Sequence, residues 1–119
     1  MRLSTRVAAI AASLIVLCVA AVPALAARSH AHATAVTVTA SEFKFKLSKT
    51  AVPAGSVTFS VTNKGKIPHD FKINGKKTPL LKPGKSAKLT VTLSAGKLAY
   101  LCTVPGHSAA GMKGTLTVR

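Results

Sequence analysis

Val57-Thr58-Phe59-Ser60-Val61-Thr62 alternates apolar and small hydroxyl side chains with a period of two. Successive side chains of an extended strand point to opposite faces, so Val57, Phe59 and Val61 share one buried face. The same alternation recurs to either side. Upstream, Val36 and Val38 alternate with Thr37 and Thr39, and Phe43, Phe45 and Leu47 with Lys44 and Lys46. Downstream come Phe71 and Ile73, then Leu89, Val91 and Leu93, then Leu98 to Cys102, and finally Leu116 and Val118. Pro53-Ala54-Gly55, Asn63-Lys64-Gly65, Asn74-Gly75, Pro83-Gly84, Ala95-Gly96 and Pro105-Gly106 separate these runs as turns. Seven or so short strands and no helical-period segment after Ala33 predict an all-β, antiparallel β-sandwich with Greek-key connections.

The 119 residues leave room for one domain only, because the N-terminal quarter reads as an export signal. Arg2 and Arg6 precede an uncharged apolar stretch that ends in Pro23-Ala24-Leu25-Ala26, a small-residue cleavage site. The expected organisation is a signal peptide over 1–26, a short tail over 27–34 and a sandwich domain over 35–119. The competing reading of the leader is an uncleaved anchor, since its apolar stretch is about as long as a bilayer needs. Cleavage implies an exported domain, periplasmic, cell-surface or secreted, with no stable membrane insertion. Cys18 lies in the leader, so the mature domain keeps Cys102 alone and has no internal disulfide. Small exported domains have marginal cores and often lean on a disulfide or a metal. Here a metal is the candidate.

The donors for one lie in Tyr100-Leu101-Cys102-Thr103-Val104-Pro105-Gly106-His107-Ser108-Ala109-Ala110-Gly111-Met112-Lys113-Gly114. Cys102, His107 and Met112 are spaced C-x4-H-x4-M on a loop between the last two strands. A thiolate, an imidazole and a thioether suit copper, and two histidines with one cysteine and a weak axial methionine make the blue-copper set. His69, at the start of a strand in Ile67-Pro68-His69-Asp70-Phe71, can supply the second imidazole from a distant part of the chain. Alone, each residue has an ordinary reading: cysteine as a small buried hydrophobe, methionine as a core filler, histidine as a turn residue. Their joint spacing, and an unpaired cysteine in an exported chain, favour the metal.

With these residues in place the sequence resembles the cupredoxin family, the plastocyanin-like small blue copper proteins. The resemblance runs through Ala40-Ser41-Glu42-Phe43, Val52-Pro53-Ala54-Gly55, Val57-Thr58-Phe59, His69-Asp70-Phe71, the Cys102 to Met112 loop and Gly114-Thr115-Leu116-Thr117-Val118. It implies a Greek-key sandwich of seven to eight strands with one type 1 copper ion held near one end by His69, Cys102, His107 and Met112. It also implies that His107 protrudes through an apolar patch, here Val104, Pro105, Ala109 and Ala110, and conducts electrons. Relatives commonly carry Asn after the first histidine, whose amide ties the two ligand loops. Asp70 stands there instead and, ionised, accepts but does not donate, which puts that tie in question. The N–H that follows His69 remains able to donate to the Cys102 thiolate.

The expected function is a one-electron carrier cycling between Cu(I) and Cu(II), not an enzyme. Once His69 and His107 are assigned, only His30 and His32 remain, both in the tail, so nothing supplies a further metal position with open coordination. The alternative is an extracytoplasmic copper storage or delivery protein using the same ligands. Lys and Arg number 17 against 2 acids, a formal charge of +15, which points to acidic redox partners and salt-dependent association. Nucleic acid is not expected as a partner, because the lysines are dispersed and the chain is exported. A single small domain of high like charge is expected to be a monomer. Processing after Ala27 would expose Arg28-Ser29-His30, a terminal motif able to bind Cu(II) in a square plane.

Overall fold

The structure, a computed structural model, describes residues 32–119. Residues 1–31, with the expected signal sequence, Cys18 and His30, lie outside the described residues. Nine strands follow in order: β1 (Thr34–Ser41), β2 (Lys44–Leu47), β3 (Ala51–Val52), β4 (Gly55–Asn63), β5 (Lys72–Ile73), β6 (Lys76–Lys77), β7 (Ser86–Leu93), β8 (Gly96–Leu101) and β9 (Lys113–Val118). They form two sheets, one in the order β2-β1-β4-β7 and the other β3-β9-β8-β5-β6.

The period-two runs become the two inner faces. Val36 and Val38 of β1, Val57, Phe59 and Val61 of β4, and Val91 and Leu93 of β7 pack with Val52, Phe71, Ile73, Leu116 and Val118 from the other layer. Each large side chain removed from water in this way contributes about 1.5–3 kcal/mol. The outward positions of the first sheet carry hydroxyls that pair across strands, Thr58 Oγ1 to Thr90 Oγ1 at 2.9 Å and Thr62 Oγ1 to Ser86 Oγ at 2.8 Å. Two edges carry lysine, Lys44 and Lys46 on β2 and Lys76 and Lys77 on β6, which discourages pairing with another chain.

Two features differ from the expected antiparallel sandwich. The sheets are mixed: β1 runs parallel to β4 from Thr34↔Val57 to Ala40↔Asn63, and β3 runs parallel to β9. After β2 the chain crosses to the second sheet as β3 and returns as β4 on the far side of β1, so β4 enters in the direction of β1. Alternation reports which face is buried and carries no information on direction, so the sequence pattern is blind to this. The second difference is the number of strands, because β3, β5 and β6 are two residues each, too short to show a period.

Candidate metal centre

Three connections converge at one end of the sandwich. His69 sits just before β5 in an isolated antiparallel bridge with Leu81, its N–H donating to the Leu81 carbonyl at 3.0 Å and its own carbonyl accepting from Leu81 N–H at 2.8 Å. Buried Asn63 holds the approach to this bridge. Its side-chain amide donates to the carbonyls of Ile67 (2.9 Å) and Leu81 (2.8 Å), while its Oδ1 accepts from Gly65 N–H at 2.8 Å. His69 therefore enters the site from a backbone fixed on both sides.

The second connection joins β8 to β9. Cys102 and Met112 flank its two ends, and Cys102 N–H donates to the Met112 carbonyl at 3.0 Å. Inside the loop, His107 N–H bonds the Val104 carbonyl and Met112 N–H bonds the His107 carbonyl, both at 3.1 Å. Gly111 adopts φ +122°, where L side chains are strained, and a Cβ there would stand 3.0 Å from the Phe43 carbonyl oxygen. The loop thus closes on itself and against the β1–β2 turn, which is the third connection.

The donor atoms of His69, Cys102 and His107 all lie within 4.8 Å of one another, and all three residues are buried. The two imidazoles face each other through Nδ1 at 3.1 Å, and Cys102 Sγ lies 3.5 Å from His107 Nδ1. Two imidazole nitrogens and a thiol turned toward one another in a buried setting are a donor set shaped for a soft metal ion. Met112 is fully buried and packs with Cys102 and Ala40, against Phe45 and Val104. The fold thus brings His69, Cys102 and His107 into one cluster and seats Met112 beside Cys102. His30 lies outside the described residues.

Burial pushes the Cys102 thiol above its usual range, while hydrogen bonds from the N–H groups of Asp70 and Val104 pull it back. A tie between the two loops is present, with Asp70 as the acceptor: Thr103 N–H donates to Asp70 Oδ1 at 2.6 Å, and the Thr103 hydroxyl donates to Asp70 Oδ2.

Three residues that sequence reading did not assign to the site belong to its surroundings. Asn63 is one, legible only as part of a turn. Phe43, expected as the first inward residue of a strand, lies outside β2 and sets its ring edge against His107, with centroids 5.1 Å apart. Glu42 is the third. Its Oε1 accepts from Lys66 N–H at 2.6 Å and Ile67 N–H at 3.0 Å, and meets His69 Nε2 at 3.2 Å. The Lys66 N–H above all, joined by Ile67, its own N–H and His69, holds the Glu42 carboxyl at about 2, against desolvation acting the other way.

The comparisons with known proteins agree with this fold. The chain is 54% identical over 41 residues to the copper-resistant cuproprotein CopI of Pseudomonas aeruginosa, and 52% identical over 42 residues to auracyanin-B of Chloroflexus aurantiacus. Each match covers 34% of this chain, and they span 23% and 18% of those two proteins. Among solved structures, the dithionite-reduced auracyanin of Roseiflexus castenholzii superposes with a TM-score of 0.67 at 24% identity, covering 73% of this chain and 98% of that one. The family profile described as a cupredoxin-like domain matches residues 9–118, nearly the whole sequence. The chain belongs to the cupredoxin-like domain family.

Proposed function

We propose that this chain is an exported blue copper protein that carries one electron at a time, with copper held by His69, Cys102, His107 and Met112. The observation that carries this reading is the approach of two imidazole nitrogens and one thiol sulfur to within 4.8 Å at the buried end of the sandwich. The name cuproprotein borne by CopI supports the metal, and auracyanin A of Chloroflexus aurantiacus, a "blue" copper protein of similar fold, supports its type. Bound copper supplies a one-electron Cu(II)/Cu(I) couple that sulfur and imidazole donors accommodate in both states.

The chain's own residues make that exchange fast. His69 is fixed by its bridge to Leu81 and by Asn63, and Cys102 and His107 by the self-bonded loop and the Asp70–Thr103 tie. Donors held this firmly move little when the charge changes, so little reorganisation opposes the transfer. Met112, buried beside Cys102, would supply the fourth and weaker sulfur donor. Its dry setting beside Cys102 keeps water from the site. With four donors from the protein no position is left for a substrate, which is why the reading is a carrier and not a catalyst.

Electrons enter and leave through His107. It is 8% exposed, and no charged residue stands between Cys102 and Met112. Among the described residues the exposed large apolar side chains are Phe43, Ile67 and Leu80, and all three belong to segments that run to the site. Phe43 lies against His107, Ile67 two residues before His69, and Leu80 next to the Leu81 of its bridge. An apolar end suits brief contact, and the surrounding lysines steer acidic redox partners toward it. Arg2, Arg6 and the apolar leader support export.

Voltammetry of the copper-loaded domain tests this reading: a reversible one-electron wave is expected, and irreversible loss of copper on reduction would overturn it. The CopI match favours a second reading, copper storage or delivery at the same site. A delivery protein passes Cu(I) promptly to a competing thiolate chelator, whereas a carrier retains it through repeated cycles.

A further inference from the structure

Beyond the four proposed ligands, the structure holds a carboxylate aimed at one of them. Glu42 comes from the β1–β2 turn, 27 residues before His69 in sequence, and meets the ring nitrogen opposite the one that faces His107. Three contacts converge on its Oε1, from Lys66 N–H, Ile67 N–H and His69 Nε2. The seat leaves room for it: a Cβ on Gly65 would stand 2.5 Å from that oxygen, so a side chain there would displace the carboxylate. The next residue, Phe43, packs on the other histidine.

We infer that Glu42 is the positioning residue of the metal centre, fixing His69 with its proton on Nε2 and its Nδ1 lone pair turned into the site. An ionised carboxylate offers acceptors only, so the contact at 3.2 Å places the imidazole proton on Nε2. Nδ1 is then the unprotonated nitrogen, facing His107 Nδ1 at 3.1 Å with its lone pair turned into the site. The same interaction sets the strength of the ligand, since a hydrogen-bonded carboxylate makes the imidazole a stronger donor and favours the more highly charged state of the metal. This inference rests on the proposed copper site for its second consequence and stands without it for the first.

The experiment separates the two. In the metal-free protein, 15N NMR of the histidine rings is expected to show His69 as the Nε2–H tautomer in the wild type and in Glu42→Gln, which keeps an acceptor oxygen. A mixture of tautomers is expected in Glu42→Ala and in Gly65→Ala, which displaces the carboxylate without altering it. An Nδ1–H tautomer in the folded wild type would overturn the inference, and that measurement requires no variant to fold. With copper, Glu42→Ala is expected to lose about 10–100-fold in Cu(II) affinity. Glu42→Gln is expected to retain most of the affinity while its potential shifts upward, because the charge that favours Cu(II) is gone. A Gln variant with unchanged potential together with an Ala variant of unchanged affinity would also overturn it. Failure of the wild type to bind copper would refute the copper reading and leave the tautomer result intact.

Discussion

Asp70 and Thr103 show how a carboxylate that only accepts can tie two loops together. The carboxylate accepts both the backbone N–H and the hydroxyl of Thr103, tying the His69 connection to the Cys102 loop. Asp70→Ala leaves the Thr103 N–H without its partner at a partly buried position, so it is expected to cost about 1–3 kcal/mol in urea denaturation of the metal-free domain. Asp70→Asn keeps an acceptor for one of the two donors and is expected to lie between the Ala variant and the wild type. Equal stability of all three would show that the tie contributes nothing. The convergence of His69, Cys102 and His107 was legible because Cys102 and His107 fall, with Met112, in one short loop with metal-ligand spacing. Glu42 was not, because nothing local marks a carboxylate that acts 27 residues away. That Asp70 would accept was legible from its carboxylate, but its partner Thr103 was not, since that depends on which donor the facing loop presents.

The strands themselves were readable, and their order was not. Val57, Phe59 and Val61 alternate clearly because β4 buries one face along its whole length. Its parallel pairing with β1 follows from the crossing through β3, a two-residue strand with no period to read. The connection between β4 and β5 depends on Asn63, whose amide reaches Ile67 and Leu81 across the bend. Asn63→Ala is expected to destabilise the domain by about 1–3 kcal/mol through its lost bonds to the Ile67 and Leu81 carbonyls and the Gly65 N–H, the Leu81 carbonyl keeping only His69 N–H. Hydrogen exchange should locate that loss in the 64–69 segment and at Leu81. Uniform loss of protection over the whole sandwich would contradict this local role. In the core, Phe59 is fully buried among residues of both sheets, and Phe59→Ala is expected to cost about 3–5 kcal/mol. A midpoint unchanged from wild type would show that the two layers do not share one cooperative core.

For the molecule as a whole, charge and apolar surface have separate tasks. The formal charge of +15 is carried mainly by lysines spread over the strands and turns, whereas Phe43, Ile67 and Leu80 belong to the segments of the site end. Association with an anionic redox protein is expected to slow steeply with added salt, since the Debye length falls to about 10 Å at 0.1 M. Electron transfer to a small neutral reagent should hardly respond. Equal salt dependence for both would remove steering from the picture. Composition made the charge legible, but not the exposure of Phe43, Ile67 and Leu80 on segments that run to the site, which depends on where the chain turns. The most direct test of the whole reading is the visible and EPR spectrum of the mature domain with one equivalent of Cu(II), alongside Cys102→Ser. An intense blue thiolate band that vanishes in the variant is expected from a site built on His69, Cys102, His107 and Met112. A pale tetragonal spectrum that is the same in both proteins would contradict it.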